Sequence, residues 1–313
     1  MPTADALTLR PLSAADNDAV RRIIETSEYT HYRFDLEELP RLLERLPAYG
    51  AFSTPAGRLA RVTQGTLRAF VLLNWLVAPS AWIGGFGVTW SDGAHFTDYL
   101  DALLPPIARA AADRGARTLY YSGGDLASDW LHSAFAARGF AIHSYLRSYD
   151  KLDFAVPFEG NLAVRVRPFR PEDAAGVVAV EDLCFEQLWR YDAAGFREVA
   201  ETYPYFVVAE DAQGIAGYQF NTLDATTGYL VRIAVHPRAQ GSGVAARLMA
   251  EAVRYFQRSN VLRILLNTQE ANVRAQALYD RFGFERVPPR GFVLSRDIDG
   301  AAADLIAQHD AST

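Results

Sequence analysis

The run Val235-His236-Pro237-Arg238-Ala239-Gln240-Gly241-Ser242-Gly243-Val244-Ala245 constrains the chain most, because it joins an apolar strand to an amphipathic helix through an Arg-x-x-Gly-x-Gly turn. Glycines at 241 and 243 carry no Cβ to hold a ligand off the backbone, and a helix beginning there directs unpaired N–H groups and its positive dipole end outward. An anion such as a phosphate chain suits that place. Upstream, residues 229–235 read as a mostly buried strand that Pro237 stops. Downstream, Val244, Ala245, Leu248, Met249, Ala252, Val253 and Phe256 recur at helical spacing, with Arg247, Glu251, Arg254 and Arg258 on the other face. A second apolar strand, 261–268, leads to a helix beginning near Asn272, in which Ala275, Leu278, Tyr279 and Phe282 share a face and Gly283 takes the C-cap position.

This succession, with Asn272-x-x-Ala275-x-x-x-Tyr279 and then Gly283-Phe284, closely resembles the GCN5-related N-acetyltransferase (GNAT) superfamily over residues 163–298. The resemblance implies an α/β fold, a mixed, mostly antiparallel twisted sheet flanked by helices with a splayed central strand pair. It implies acetyl-CoA as cosubstrate, no metal, and a primary amine as acceptor. Ile233, Ala234 and Val235 match the strand along which the pantetheine arm bonds as an added strand. The backbone of Arg238, Ala239, Gln240, Gly241, Ser242, Gly243, Val244 and Ala245 matches the pyrophosphate cradle, with the Arg238 side chain near phosphate or adenosine. Arg247 stands either there or on a solvated helix face.

Acetyl transfer needs a neutral amine, a stabilised oxyanion and a proton for the departing thiolate. The resemblance assigns the oxyanion to a backbone N–H near Val235 and the proton to Tyr279. Asn272 is expected to cap its helix and to touch the pantetheine arm, with Ala275 on the same turn. Residues Glu181 to Phe185 and Trp189 resemble bacterial ribosomal-protein acetyltransferases, whose glutamate base falls here on Asn267, which accepts no proton. Glu181, Glu186, Asp224 and Glu270 remain as acidic candidates, each also readable as a solvated surface carboxylate. Tyr229 or His236 would relay through water, His236 reading equally as a turn residue. Cys184 reads as a small core hydrophobe in preference to a nucleophile.

The first half of the chain is a worn copy of the second. Arg10-Pro11 followed by Asp16 matches Arg167-Pro168 followed by Asp173, and Gly139-Phe140 matches Gly283-Phe284. A strand at 117–122 and a helix at 127–138 precede Gly139. In register, Tyr279 becomes Phe135 and Asn272 becomes Ser128, while the turn at 89–95 carries Asp92 and no Arg-x-x-Gly-x-Gly. We therefore expect a degenerate, non-catalytic domain at 1–152, a linker at 153–162 and a catalytic domain at 163–313. The first domain serves as a wall of the acceptor site, as a vestigial pocket, or only to stabilise its partner.

A net charge of −6 argues against a broad nucleic-acid or anionic-membrane surface, and no apolar stretch reaches the roughly 20 residues of a membrane helix. Cys184 is the only cysteine, which with no signal-peptide pattern at the start leads us to expect a cytoplasmic protein, monomer or homodimer. The favoured function is an N-acetyltransferase acting on a small molecule or peptide. The alternatives are a non-catalytic acyl-CoA-binding regulatory protein and an acetyltransferase like mycothiol synthase, whose tandem layout and length are similar.

Overall fold

A computed structural model describes residues 7–53, 65–89 and 95–298. In chain order the elements are β1 (Leu7–Pro11), α1 (Asn17–Thr26), β2 (Thr30–Tyr32), α2 (Leu39–Arg45), β3 (Ala48–Ser53), β4 (Thr66–Val77), β5 (Ser80–Val88), α3 (Phe96–Ala112), β6 (Thr118–Gly123), α4 (His132–Ala136) and β7 (Ala141–Lys151). The second half adds β8 (Arg165–Pro168), α5 (Ala174–Cys184), α6 (Ala193–Thr202), β9 (Tyr205–Asp211), β10 (Gly214–Leu223), β11 (Thr227–Val235), α7 (Val244–Arg258), β12 (Arg263–Gln269), α8 (Val273–Arg281) and β13 (Glu285–Asp297).

The chain divides into two compact units that do not follow a single cut along the sequence. Unit 1 takes residues 1–123, 129–143 and 293–313, and unit 2 takes 124–128 and 144–292. The long strands β7 and β13 are thus shared. The second part of β7 borders β12, pairing Tyr149 with Leu266 and Arg147 with Thr268, and so completes the unit 2 sheet β8-β9-β10-β11-β12-β7. The last residues of β13 serve unit 1, where Ile298 N donates to Arg117 O at 2.8 Å and the Thr118 hydroxyl bonds Asp297 at 3.0 Å. Hydrophobic periodicity marks a strand without naming its sheet, so this exchange has no sequence signature.

Each unit has the expected mixed sheet. In unit 2 the pairs β8–β9, β9–β10, β10–β11 and β12–β7 are antiparallel and β11–β12 is parallel. In unit 1 the pairs β1–β3, β3–β4, β4–β5 and β2–β5 are antiparallel and β5–β6 is parallel. On one face of unit 2, Val177 and Val180 of α5 and Phe196 and Val199 of α6 pack on Tyr218, Phe220 and Ala234. On the other, α7 places Leu248 against Val207 and Val235, and Met249, Val253 and Phe256 against Leu230, Ile264 and Leu266. Each such buried side chain contributes roughly 1.5–3 kcal/mol.

The repeat seen in the sequence is a repeat of structure. Arg10 reaches Asp16 at 2.6 and 3.0 Å, and Arg167 reaches Asp173 at 2.7 and 2.8 Å; each Asp also accepts a backbone N–H three residues before it. Gly139 and Gly283 are both left-handed, at φ +79° and +78°. Phe140 N bonds Phe135 O as Phe284 N bonds Tyr279 O, which fixes Phe135 as the counterpart of Tyr279. The helix expected at 127–138 is shorter, only His132–Ala136. Asp129 accepts from Leu131 N and His132 N, and Ser128 bonds Asp125 in a preceding turn, so Ser128 caps no helix as Asn272 does. These short carboxylate-to-backbone bonds compete with helix formation.

Candidate active site

The site begins where β11 and β12 part. They pair only from Thr227 with Arg263 to Tyr229 with Leu265. Just beyond, Phe220 faces Arg232 while Asn221 faces Leu230, leaving Val231 as a bulge that bends β11 away. His236 N donates to Ala216 O, so antiparallel alternation turns the backbone groups of Ala234 toward β10 and those of Ile233 and Val235 toward the opened edge. Among the described residues no strand pairs with that edge beyond Tyr229. Of the three residues expected to line the arm, Ile233 and Val235 therefore present main chain to it, and Ala234 presents none.

The turn that follows is built from its own residues. His236 Nδ1 accepts from Arg238 N at 3.1 Å, which makes it a turn residue. Ala239, Gln240 and Ser242 give their N–H groups to carbonyls within the turn. The expected cradle thereby narrows to the amides of Gly241, Gly243, Val244 and Ala245, which make no such bond. Gly241 and Gly243 are left-handed, at φ +79° and +86°, and Gly243 is the N-cap of α7 without any side-chain cap. A Cβ on Gly241 would enter open space, the volume a phosphate would need.

The arginines are less committed to phosphate than the sequence suggests. Arg238 is held by Asp211 at 2.6 and 3.1 Å, and Arg247 by Glu251 at 2.7 Å. Arg274 reaches Gln240 Oε1 at 2.7 Å, and Gln240 Nε2 reaches Val235 O at 3.3 Å, tying the start of α8 to the end of β11.

Asn272 caps α8, its Oδ1 accepting from Ala275 N at 3.1 Å. Tyr279 is 4% exposed and packs edge-on against Tyr149, ring centres 5.4 Å apart. Burial pushes its hydroxyl well above the usual phenol range, so it holds its proton throughout neutral pH.

Of the acidic candidates, Glu186 and Asp224 are exposed as expected and Glu270 is partly exposed, while Glu181 is not the solvated carboxylate expected. Glu181 is fully buried: Arg232 Nη1 lies at 2.5 Å, Tyr191 N donates at 3.0 Å, and the Tyr218 hydroxyl donates as well. Burial pushes its carboxyl upward against the opposing pull of Arg232. The sequence does not show this network, because one glutamate in Val180-Glu181-Asp182 reads as helix surface, and only the sheet sets Arg232 and Tyr218 facing α5. Glu270 is gripped by Arg290 and Arg147, which hold it below the usual carboxylate range. Asp224 is also held low, by the N–H groups of Thr226 and Thr227 and the Tyr229 hydroxyl. Such carboxylates are weak bases. Asn267 is exposed on β12. Cys184 is half-buried, its thiol donating to Val235 O at 3.2 Å and pushed up by burial, which disfavours the thiolate a nucleophile needs.

The family profile described as acetyltransferase (GNAT) family matches residues 172–284, the stretch that holds the opened edge, the glycine turn and Tyr279. A Bacillus subtilis protein named as a ribosomal-protein alanine N-acetyltransferase is 27% identical over 120 residues, 38% of this chain and 80% of its own length. A mycothiol acetyltransferase of Beutenbergia cavernae is 27% identical over 58% of this chain, which spans only 59% of that relative. Another, from Thermobispora bispora, is 26% identical over 245 residues, 74% of this chain and 73% of its own. Among solved structures, a GCN5-related N-acetyltransferase from Sphaerobacter thermophilus overlays with TM-score 0.65 at 16% identity, covering 94% of this chain and 96% of the other. A tandem GNAT protein from the clavulanic acid pathway overlays with TM-score 0.62 at 17% identity, covering 94% and 99%. The fold is that of a tandem GNAT protein, and the stretch at residues 172–284 matches the GNAT family of acetyltransferases.

Proposed function

We propose that the chain transfers an acetyl group from acetyl-CoA directly to a primary amine, in a catalytic domain that begins near residue 163. The observation that carries this reading is the unpaired edge at Ile233 and Val235 running into the uncapped, glycine-built start of α7. The edge offers an extended arm a strand's hydrogen bonds, and the helix start offers an anion its N–H groups. Val235 N–H holds the carbonyl oxygen as charge develops on it while the amine nitrogen bonds to carbon. As the carbon–sulfur bond breaks, Tyr279 gives its proton to the departing sulfur. The Glu270 and Asp224 carboxylates, held low by their partners, leave the amine proton to water.

Release of free thiol from acetyl-CoA, measured across a panel of amines, tests this. Tight binding of acetyl-CoA with no amine accelerating release would favour a regulatory binding protein. A narrower second reading, acetylation of the amine that mycothiol acetyltransferases use, rests on the Thermobispora bispora likeness reaching over 74% of the chain. Including that amine in the panel decides it.

A further inference from the structure

Unit 1 has the same opened strand pair as unit 2. β5 and β6 pair only from Ser80 with Thr118 to Ile83 with Tyr121, and Gly84 is bulged where Val231 is bulged in β11. The Ser27 hydroxyl donates to Val88 O at 2.6 Å as the Cys184 thiol donates to Val235 O, so Val88 is the counterpart of Val235 and Phe86 of Ile233. Thr89 N bonds Arg68 O of the neighbouring strand, so alternation turns the backbone of Phe86 and Val88 toward the opened edge.

That edge is occupied. β2 lies antiparallel along it, with Thr30 facing Gly87, His31 facing Phe86 and Tyr32 facing Gly85. Val88 N donates to Tyr29 O at 3.1 Å, and Arg33 N donates to Gly84 O at 2.8 Å. Side chains fasten the segment: His31 Nδ1 lies 3.3 Å from the Tyr121 hydroxyl, which bonds Asp129 at 2.8 Å. Tyr29 packs edge-on against Trp130, and Asn74 Nδ2 holds Arg33 O at 2.8 Å. Burial and the nearby Arg33 bring His31 down to about 4, so its ring enters this packing uncharged at neutral pH.

We infer that residues 29–33 are a built-in occupant of the first domain's coenzyme groove, taking the same main-chain bonds that a pantetheine arm takes in the second, so that each chain holds a single acyl-CoA. Part of this rests on the acetyl-CoA reading of unit 2. The groove in unit 1 is closed by chain, and its closure does not depend on ligand.

Residue-resolved amide hydrogen exchange on the full chain, with and without acetyl-CoA, tests the occupant directly. Phe86 and Val88 are expected to exchange slowly in the free protein and to stay unchanged on addition. Ile233 and Val235 are expected to exchange fast and to slow at least tenfold. Fast exchange at Phe86 and Val88 in the free protein, or slowing there by acetyl-CoA, would overturn the inference. Calorimetry supplies a second readout: one equivalent per chain, weakened at least tenfold by Gly243→Glu, supports it, and a second equivalent or one that this substitution leaves at full affinity overturns it. If no acetyl-CoA bound at all while Phe86 and Val88 stayed slow, the occupant would stand and the coenzyme reading of unit 2 would fall.

Discussion

The two units share a strand pair that opens at a bulge, and along its edge they part company just after Ser27 in the first and Cys184 in the second. In unit 1 the chain runs on along β5 as β2. In unit 2 it turns away through Gln187–Trp189, where Trp189 N bonds Glu186 O and Arg190 Nε bonds Phe185 O. Comparing α1 with α5 shows the difference at Glu181: its counterpart is the buried Ile24, and no carboxylate at that position draws the following segment inward. In unit 2 that carboxylate, seated on Arg232 and Tyr218, captures Tyr191 N–H. The edge beyond the opened pair is thus covered by β2 in unit 1 and, among the described residues, by no strand in unit 2, according to the path of one short connection.

The largest expected effect is on that connection. Glu181→Ala leaves Arg232 charged and 12% exposed without its carboxylate, so unfolding stability should fall by about 3–5 kcal/mol in a denaturant titration. Ile24→Ala, which only shortens an apolar contact, should cost less, about 2–4 kcal/mol. A Glu181→Ala loss under about 1 kcal/mol would show that the pair carries little, as replaced buried pairs sometimes do.

Next is Tyr279, whose counterpart is Phe135. Tyr279→Phe keeps the ring against Tyr149 and removes the proton donor, so turnover should fall about 10²-fold or more with acetyl-CoA affinity and melting temperature nearly unchanged. Parent-like turnover, with chemistry limiting, would reduce Tyr279 to a core residue.

The shared pairs Arg10–Asp16 and Arg167–Asp173 should behave alike. Each arginine, together with a backbone N–H, holds its carboxyl below the ordinary 3.8. A depressed carboxyl contributes stability that is present above its unfolded value and lost as pH falls through the folded one. Asp16→Asn and Asp173→Asn should each cost about 1.5–3 kcal/mol at pH 7 and much less near pH 2. Unequal losses, followed by urea titration at both pH values, would show that the copies have diverged in their frames as well as their grooves.

The smallest effect is expected at the cradle. Gly243→Glu adds bulk at a left-handed position, where a Cβ meets Asn161 N at 3.2 Å, and adds negative charge at the start of α7. Acetyl-CoA affinity should fall at least tenfold, about 1.4 kcal/mol, by calorimetry. Unchanged affinity would remove the cradle from this turn.

What the sequence determined by itself is local. Gly241, Gly243, Gly283 and the Asn272 cap were legible because backbone conformation and capping depend on residues within a turn of one another. The Arg10 and Arg167 repeats were legible for the same reason, their partners lying six residues away. Tertiary structure decided what depends on distant partners. It buried Glu181 by setting Arg232 and Tyr218 opposite α5, and it held Arg238 with Asp211. It divided β7 and β13 between two compact units, and it laid Thr30–Tyr32 along β5, a pairing that their sequence does not announce. A three-residue strand has too few side chains to show a period, and its hydrogen bonds come from main-chain groups that every residue carries.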